Sequence, residues 1–337
     1  MGQDILRRDF LKSSAMALGG AAATGLAGAS SGATVQPDQA QVFFTKDLSV
    51  NGLLKVYSKI NQRLTGKVAI KLHSGEPHGP NLLPIEFIRG LQPAVPNSAI
   101  VECNVLYPSP RKTTEGHRET LKTNGFDFCA VDIMDAGGHA MLPIPGMAEF
   151  LDVFPRPGEQ LPFTPGTHLT EIAVGKNLLN YDSLLVYTHF KGHTMGGFGG
   201  SLKNIAIGCG SGQVGKRQVH GYGWPGGKEM LERMVESGKG ITSHFGQQIV
   251  YINVLKNLSV DCDCDAHGAK PTCDDIGILA STDILAIDKA SVDLVYARPE
   301  EQRRDLVKRI ESRSGLRQLE YMKILGMGND RYELIPV

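Results

Sequence analysis

The sequence predicts an α/β fold in which mostly parallel sheets are flanked by helices, built as one large unit or as two intimately associated subdomains. Two observations support this prediction. Short runs of apolar and β-branched residues alternate along the chain with stretches of helical spacing, an order typical of parallel strands joined by helices. The 337 residues are 41% hydrophobic and 21% charged, which is typical of a globular chain with a sizeable core.

Each predicted element has its own signal. The strands are short runs dominated by Val, Ile, Leu, Ala or Phe, and the helices repeat apolar residues every three or four positions. The predicted strands cover 42–45, 68–72, 99–105, 184–187, 249–254 and 276–279. The predicted helices cover 50–64, 84–91, 228–245, 283–296 and 299–314. A stretch rich in Pro and Gly at 142–166 is the candidate subdomain boundary within one domain over 34–337.

The charge balance bears on partners. The chain has 35 basic and 35 acidic side chains and no cluster of Lys or Arg. Proteins bind nucleic acids largely by neutralising phosphates with such clusters. We therefore predict no nucleic-acid partner.

The N-terminal 33 residues predict an export signal. Arg7 and Arg8 precede a weakly hydrophobic run rich in Ala and Gly at 13–28, and small residues at 27–29 and 31–33 offer cleavage sites. We expect export by the twin-arginine pathway, which carries folded proteins, to the periplasm or another extracytoplasmic compartment. An ordinary basic helix is the alternative. The run is too short and too rich in glycine for a permanent membrane anchor.

Thirteen glycines fall within 192–227, far more than chain-reversing turns need. The backbone there must bend sharply or approach a ligand closely. Two matches to G-x-G-x-x-G, at 210–215 and 221–226, arise readily from such glycine density, and Arg217 stands where a phosphate-binding loop needs a hydroxyl. Nucleotide binding is therefore not favoured.

Side chains that can transfer protons or bind a metal gather at this segment, namely His189, His193, Lys203 and His220. Imidazoles and an amine on glycine-rich loops suit acid/base chemistry or metal ligation. His193, Lys203 and His220 are the candidate catalytic residues. The alternative is that the histidines are buried structural groups and that the lysine is solvated.

A second cluster offers both soft and hard metal ligands. Cys262 and Cys264 alternate with three aspartates in 261–265, so an extended backbone places the thiols on one face and the carboxylates on the other. Thiolates suit zinc, copper or iron–sulfur iron. With Cys273 and Cys209 as further ligands, the cluster predicts a metal ion or an iron–sulfur cluster. The alternatives are a disulfide between Cys264 and Cys273, and inert buried thiols.

Two aspartates in the predicted helix 283–296 have structural explanations. Asp283 fits an N-cap position. Asp288 lies between apolar residues, so we expect it to be buried as a cap or as the partner of a helix terminus.

The runs 188–204, 261–265 and 281–288 resemble the domain of unknown function 362 family, and the resemblance covers about 42–334 of the chain. Many members of that family are described as iron–sulfur centre proteins, because they insert a ferredoxin module with Cys-x2-Cys-x2-Cys spacing. This sequence has Cys-x-Cys and the lone Cys273 instead.

The sequence is more distantly similar to the nickel-dependent lactate racemase family. The residues that match its motif are His193, Gly197, Phe198, Gly200 and Lys203. In that family the His is an acid/base catalyst, the Lys tethers a pincer cofactor, and a later His, for which His220 is the candidate, binds nickel. The resemblance adds a nickel cofactor to the candidates. The candidate cofactor contacts are His189, Gly197, Gly200 and Asn204.

Together these patterns predict an exported protein that binds a metal or metallo-cofactor where the segment 189–220 meets the loop 261–273. Its partner would be a small-molecule ligand or a redox partner. Two alternatives stay open: an acid/base enzyme similar to lactate racemase, and a module that binds a non-metal ligand and carries a structural disulfide. The sequence does not predict the substrate, the metal or the oligomeric state.

Overall fold

Twelve strands form the sheets of the chain, whose computed structural model describes residues 39–147 and 168–337. The strands are β1 (Ala40–Thr45), β2 (Val68–Lys71), β3 (Ser98–Glu102), β4 (Val131–Ile133), β5 (His139–Pro143), β6 (Glu171–Gly175), β7 (Ser183–His189), β8 (Lys191–His193), β9 (Gly197–Gly199), β10 (Ile249–Leu255), β11 (Gly277–Ser281) and β12 (Tyr332–Pro336). Eight of them form one sheet in the order β12-β1-β11-β10-β7-β2-β3-β4, while β5 pairs with β6 and β8 pairs with β9.

The main sheet is mostly parallel, as predicted. Every neighbouring pair in it is parallel except the two pairs made by β11, which runs antiparallel to β10 and to β1. One strand of the eight therefore opposes all the others, and the α/β fold class is confirmed.

Helices cover both faces of this sheet. In the described ranges they are α1 (Val50–Tyr57), α2 (Ile85–Leu91), α3 (Thr114–Thr123), α4 (Ser201–Gly208), α5 (Gly215–His220), α6 (Gly227–Phe245), α7 (Ile284–Tyr296), α8 (Glu300–Ser312) and α9 (Arg317–Ile324). None of these helices is long and apolar enough to cross a membrane. Because side chains alternate along a strand, Leu184 and Val186 of β7 join the core under α4 and α6–α9, while Leu185 and Tyr187 join the core under α1–α3.

The predicted elements differ from the structure mainly at their ends. All six predicted strands overlap strands of the main sheet, and all five predicted helices overlap observed helices. The helix predicted at 50–64 ends at Tyr57 and is followed by a short 3-10 turn at Asn61–Arg63. The predicted export signal at 1–33 and most of the predicted boundary at 142–166 lie outside the described residues. A single domain over 34–337 stays a prediction.

The strand order positions a site. From β2 the chain continues to β3 on one side, whereas from β7 it continues to β10 on the other side. The carboxyl ends of β2 and β7 therefore flank a point where the connections diverge, and in open α/β sheets a crevice forms there. Polar groups end these strands, since β2 ends at Lys71 and β7 ends at His189.

A buried carboxylate from another helix caps the N-terminus of α4. Asp288 of α7 accepts hydrogen bonds from the backbone N–H groups of Ser201 at 2.7 Å and Leu202 at 2.9 Å, and from the Asn253 amide at 2.9 Å. Burial raises the pKa of Asp288 to about 6, and these three donors oppose that rise. The prediction of a buried helix-terminus partner is confirmed. Asp283 caps its own helix by accepting from the Ala286 N–H.

Gly200 is needed for this contact, because a Cβ at that position would lie 2.4 Å from the Asp288 carboxylate. We expect Gly200→Ala to lower the free energy of unfolding by roughly 2 kcal/mol, since a carboxylate held by three donors cannot move away without losing them. Chemical denaturation measures the change. Gly137→Ala is the matched control, because a Cβ there meets nothing within 4 Å. Equal stability of the two variants would contradict the close contact.

Candidate functional site

A cavity of about 220 Å³ opens at the carboxyl ends of β2, β3 and β7. Its walls also come from the β8–β9 hairpin, α4, α5 and the loop that follows β10. Eight of the eleven candidate residues named from the sequence line it, namely His189, His193, Gly200, Lys203, Asn204, His220, Cys262 and Cys264. The structure thus places His193 and Lys203 in one cavity, as the sequence predicts. The roles assigned to these residues stay predictions.

Three candidates do not line this cavity. Gly197 packs against backbone, because a Cβ there would lie 2.7 Å from the Gly315 Cα. Cys209, the C-cap residue of α4, is fully buried, and the Cys273 thiol donates to the Asp274 carbonyl at 3.5 Å. All six cysteines are free, so no disulfide joins Cys264 to Cys273 in this structure.

His193, Cys262 and Cys264 form a compact group whose possible ligand atoms all lie within 4.8 Å of one another. The Cys264 Sγ lies 3.9 Å from the His193 Nε2, and the Cys264 N–H donates to the Cys262 Sγ at 3.4 Å. Two thiols and an imidazole make a soft donor set of the kind that zinc, copper or nickel accept.

The backbone after β8 determines which nitrogen of His193 carries the proton. The Nδ1 atom accepts hydrogen bonds from the N–H groups of Met195 at 3.2 Å and Gly196 at 2.9 Å. A neutral ring therefore carries its proton on Nε2, which faces the thiols. Burial and the nearby Lys203 ammonium lower the pKa of His193, so the ring is neutral near pH 7.

The surroundings of Cys262 favour its thiolate. The hydrogen bond from the Cys264 thiol lowers the pKa of Cys262 well below its usual range, burial opposes this, and Lys203 and His193 lower it further. The same hydrogen bond and burial raise the pKa of Cys264. These shifts favour the thiolate of Cys262 next to the imidazole N–H, and a thiolate is the form that binds metals.

Asp263 anchors the loop that carries both thiols. Its carboxylate accepts from the Lys191 ammonium at 2.5 Å and from the His189 Nδ1 at 2.9 Å, and Asp263 does not line the cavity. Burial alone would raise the pKa of Asp263, but His189 and Lys191 lower it below its usual value. Arg309 holds the same loop through Asp261 at 3.0 Å.

His189 helps to hold Asp263, and with it the loop that carries the thiols, in place. Its Nε2 donates to the Lys256 carbonyl at 2.7 Å while its Nδ1 faces Asp263, so both ring nitrogens are engaged. Although His189 lines the cavity, it has no free nitrogen for a ligand in this geometry. It positions the loop that carries the thiols.

His220 keeps a nitrogen without a partner. Its Nδ1 is buried and makes no hydrogen bond with any residue of 39–147 or 168–337. Burial, Lys203 and His193 lower the pKa of His220 to about 3, so its ring is neutral. The ring packs against Trp224 with the centroids 4.4 Å apart.

Sequence reasoning missed several cavity residues, namely Lys71, His73, Glu102, Arg111 and Lys216. Most of them sit at or just after the carboxyl ends of β2 and β3, where a charged residue that ends an apolar strand was the available signal. His73 resembles His193 in that its Nδ1 accepts from a nearby backbone N–H, that of Gly75, at 3.0 Å. Burial and Arg111 lower the pKa of His73 to about 3.

A buried ion-pair network supports the floor of the cavity. Arg111 donates to Glu102 at 2.6 Å and to Glu76 at 3.4 Å, and all three side chains are nearly inaccessible to solvent. Burial opposes ionisation of Glu102, but Arg111 and His117 lower its pKa well below the usual range. Glu102 is therefore charged and fully engaged.

The fold and the site together define an α/β protein with a cation-rich cavity and a pair of thiols at the carboxyl edge of a mostly parallel sheet. The chain belongs to the family described as Domain of unknown function (DUF362), whose family model matches residues 68–293. The resemblance to that family is confirmed.

Two solved structures are similar to the chain at low identity. One is the crystal structure of a protein from Thermotoga maritima, with 12% identity and a TM-score of 0.39, over 80% of this chain and 60% of that one. The other is the lactate racemase apoprotein from Thermoanaerobacterium thermosaccharolyticum, with 12% identity and a TM-score of 0.40, over 77% of this chain and 57% of that one. The chain thus spans less than two thirds of the length of either. No curated protein matches it.

Proposed function

We propose that this DUF362 protein binds a soft metal ion or a metallo-cofactor in the cavity, with Cys262 and Cys264 as the protein ligands. The observation that carries the proposal is the group of two thiols and one imidazole within 4.8 Å that faces the cavity. The low pKa of Cys262 supplies the thiolate, and Asp263 holds the loop in place.

His193 fits this site as a hydrogen-bond donor. A metal at Nε2 would displace the proton there, and Nδ1 could not accept that proton because it already takes two backbone N–H groups. Metal-binding histidines usually donate from the second nitrogen, which His193 cannot do in this geometry. We therefore assign ligation to the thiolates, with the Nε2 proton of His193 directed at them.

The number of thiols bears on the kind of metal group. An all-cysteine iron–sulfur cluster uses four thiolates, whereas only Cys262 and Cys264 belong to this group of the chain's six cysteines. Two protein thiolates leave coordination positions for an exogenous ligand. The residues therefore fit a single soft ion, or a cofactor that brings its own donors, better than an all-cysteine cluster.

Metal analysis tests the proposal. Protein matured in the cytoplasm and purified without oxygen should contain about one equivalent of zinc, copper or nickel per chain, which a chelator removes together with part of the thermal stability. Plasma mass spectrometry gives the content, and a thermal melt before and after chelation gives the stability. A chain that holds no metal and takes none up under these conditions would contradict the proposal.

The location of the mature protein is a separate proposal that rests on Arg7 and Arg8. Replacing both by Lys should leave unprocessed precursor in the cytoplasm, because the twin-arginine pathway reads the arginine pair. Fractionation followed by immunoblotting measures this, and a Lys12→Arg variant, which keeps the pair, is the control. Normal processing of the double variant would show that another route exports the chain.

A further inference from the structure

Three ammonium groups in the cavity have no carboxylate within ion-pair distance among residues 39–147 and 168–337. Lys71 at the end of β2, Lys203 of α4 and Lys216 of α5 all line it. In the described part of the chain, none of them forms an ion pair. The other two cavity cations differ, because Arg111 pairs with Glu102 and Lys191 pairs with Asp263.

These ammonium groups also keep unused hydrogen-bond donors. Lys71 donates to the Leu72 carbonyl and to the Asn204 amide oxygen at 3.1 Å, and Lys216 donates to the Gly210 carbonyl at 2.6 Å. Lys203 makes no side-chain hydrogen bond with residues 39–147 or 168–337. Since an ammonium group has three N–H donors, Lys71 keeps one, Lys216 two and Lys203 three.

The positive charges of two of these lysines are costly in free energy because the side chains are buried. Lys71 is 1% exposed and Lys216 is 5% exposed. Burial lowers the pKa of both side chains, which means that their surroundings in the protein disfavour the charged forms. The carboxylate of Glu102 opposes this for Lys71 and that of Asp135 for Lys216, but burial is the larger effect on both pKa values. The neighbouring thiols add no charge, because burial raises the pKa of Cys209 to about 11 and that of Cys103 further.

The position of Lys71 is built into the fold. Gly208, the last residue of α4, leaves the space that the lysine occupies, since a Cβ there would lie 2.6 Å from the Lys71 Nζ. Asn204, one turn earlier on the same helix, accepts from that ammonium and donates to the Tyr187 carbonyl at 3.0 Å. The ammonium is thus held at the cavity wall by residues that line it.

We infer that Lys71, Lys203 and Lys216 bind a small, multiply charged oxyanion, of the phosphate or dicarboxylate type, in this cavity. Three unpaired positive charges exceed what one carboxylate can neutralise, and oxyanions accept several N–H donors at once. A cavity of about 220 Å³ has room for such a group. The inference concerns the same cavity as the proposed metal site but does not depend on a bound metal.

The single tryptophan of the chain reports on this cavity. Trp224 lines it beside His220, so its fluorescence should respond when an anion binds. We expect a saturable change with inorganic phosphate or malonate and a much weaker one with acetate or chloride at equal ionic strength. No saturable response to either multivalent anion up to about 10 mM, or equal binding of acetate, would overturn the inference.

Two variants link the binding to Lys71. Lys71→Met removes the charge, and Gly208→Ala keeps the charge but displaces the ammonium at little cost to the fold, because the atom it meets ends a flexible side chain. Each should weaken phosphate binding about tenfold or more. Lys59→Met, at an exposed lysine outside the cavity, should leave binding unchanged. Equal affinity of all three variants would overturn the inference.

A further experiment distinguishes binding of the anion by the lysines from binding of the anion by a metal. Phosphate binding should persist in full-length Cys262→Ser protein, because the lysines are intact there. Loss of phosphate binding in that variant, with the fold intact by circular dichroism, would mean that a metal holds the anion and would overturn the inference. Phosphate binding without any metal content would instead count against the proposed metal function alone.

Discussion

Replacing Cys262 or Cys264 by Ser should remove the bound metal from the protein. Serine has nearly the same shape as cysteine, but its hydroxyl is a hard donor that stays protonated near pH 7, so it cannot replace a thiolate toward a soft ion. We expect metal content to fall from about one equivalent to below about a tenth, with a lower melting temperature, because metal-binding free energy contributes to folding free energy.

The control for this experiment is Cys129→Ser. Cys129 is half-buried and lies outside the cavity, so its replacement should leave metal content unchanged. Mapping of disulfides by mass spectrometry belongs to the same test, since a native bond between Cys264 and Cys273 would take one thiol from the metal. Full metal content in the Cys262 variant, or that disulfide in the native protein, would contradict the ligand assignment.

Removing the charge of Glu102 should cost more stability than the Gly200 substitution. Glu102 is 2% exposed and accepts from the Arg111 guanidinium at 2.6 Å and from the Ser74 N–H. Glu102→Gln leaves Arg111 buried with Glu76, at 3.4 Å, as its remaining carboxylate partner, and breaking one side of a buried pair typically costs about 3 to 5 kcal/mol. Denaturation by guanidinium chloride measures the loss.

The pH dependence of stability gives a second readout for Glu102. Its pKa is lowered in the folded protein, so its contribution is fully present above the usual value of 4.5 and is lost as pH falls from there toward the folded pKa. The wild type should therefore lose stability faster than Glu102→Gln between about pH 4.5 and pH 2. Glu119→Gln, at an exposed residue, should follow the wild-type curve. Parallel curves for all three proteins would show that Glu102 is not charged in the fold.

The sequence predicts six of the eight strands of the main sheet. It misses the edge strands β4 and β12, because β4 has only three residues and β12 is only partly buried. All seven residues of β7 and of β10 are buried, so both strands have strong signals. The short elements are missed for physical reasons. β8 and β9 have three residues each within a glycine-rich segment, and α3 buries only His117, Thr120 and Leu121, which gives a weak apolar pattern. Their positions depend on tertiary contacts more than on local sequence.

The sequence predicts some residues of the site and misses others. Glycine density and the Cys-x-Cys spacing point to His193, Cys262 and Cys264, because these signals are local. Lys71 was not found, since its role depends on which strand ends lie side by side, and that follows from the topology of β2 and β7. The proton position on His193 likewise depends on two backbone N–H groups that only the folded hairpin supplies.

The pairing of β1 has a consequence for the order in which the chain assembles during synthesis. Val42 pairs with Ser281 on one side and with Leu334 on the other, so the first strand of the described residues has both of its partner strands much later in the sequence. The block β10-β7-β2-β3-β4 needs nothing beyond Leu255. During synthesis, the five strands of this block are therefore complete before either partner strand of β1 has been made. We expect β1 to join the sheet last, because pairings between strands distant in sequence form slowly.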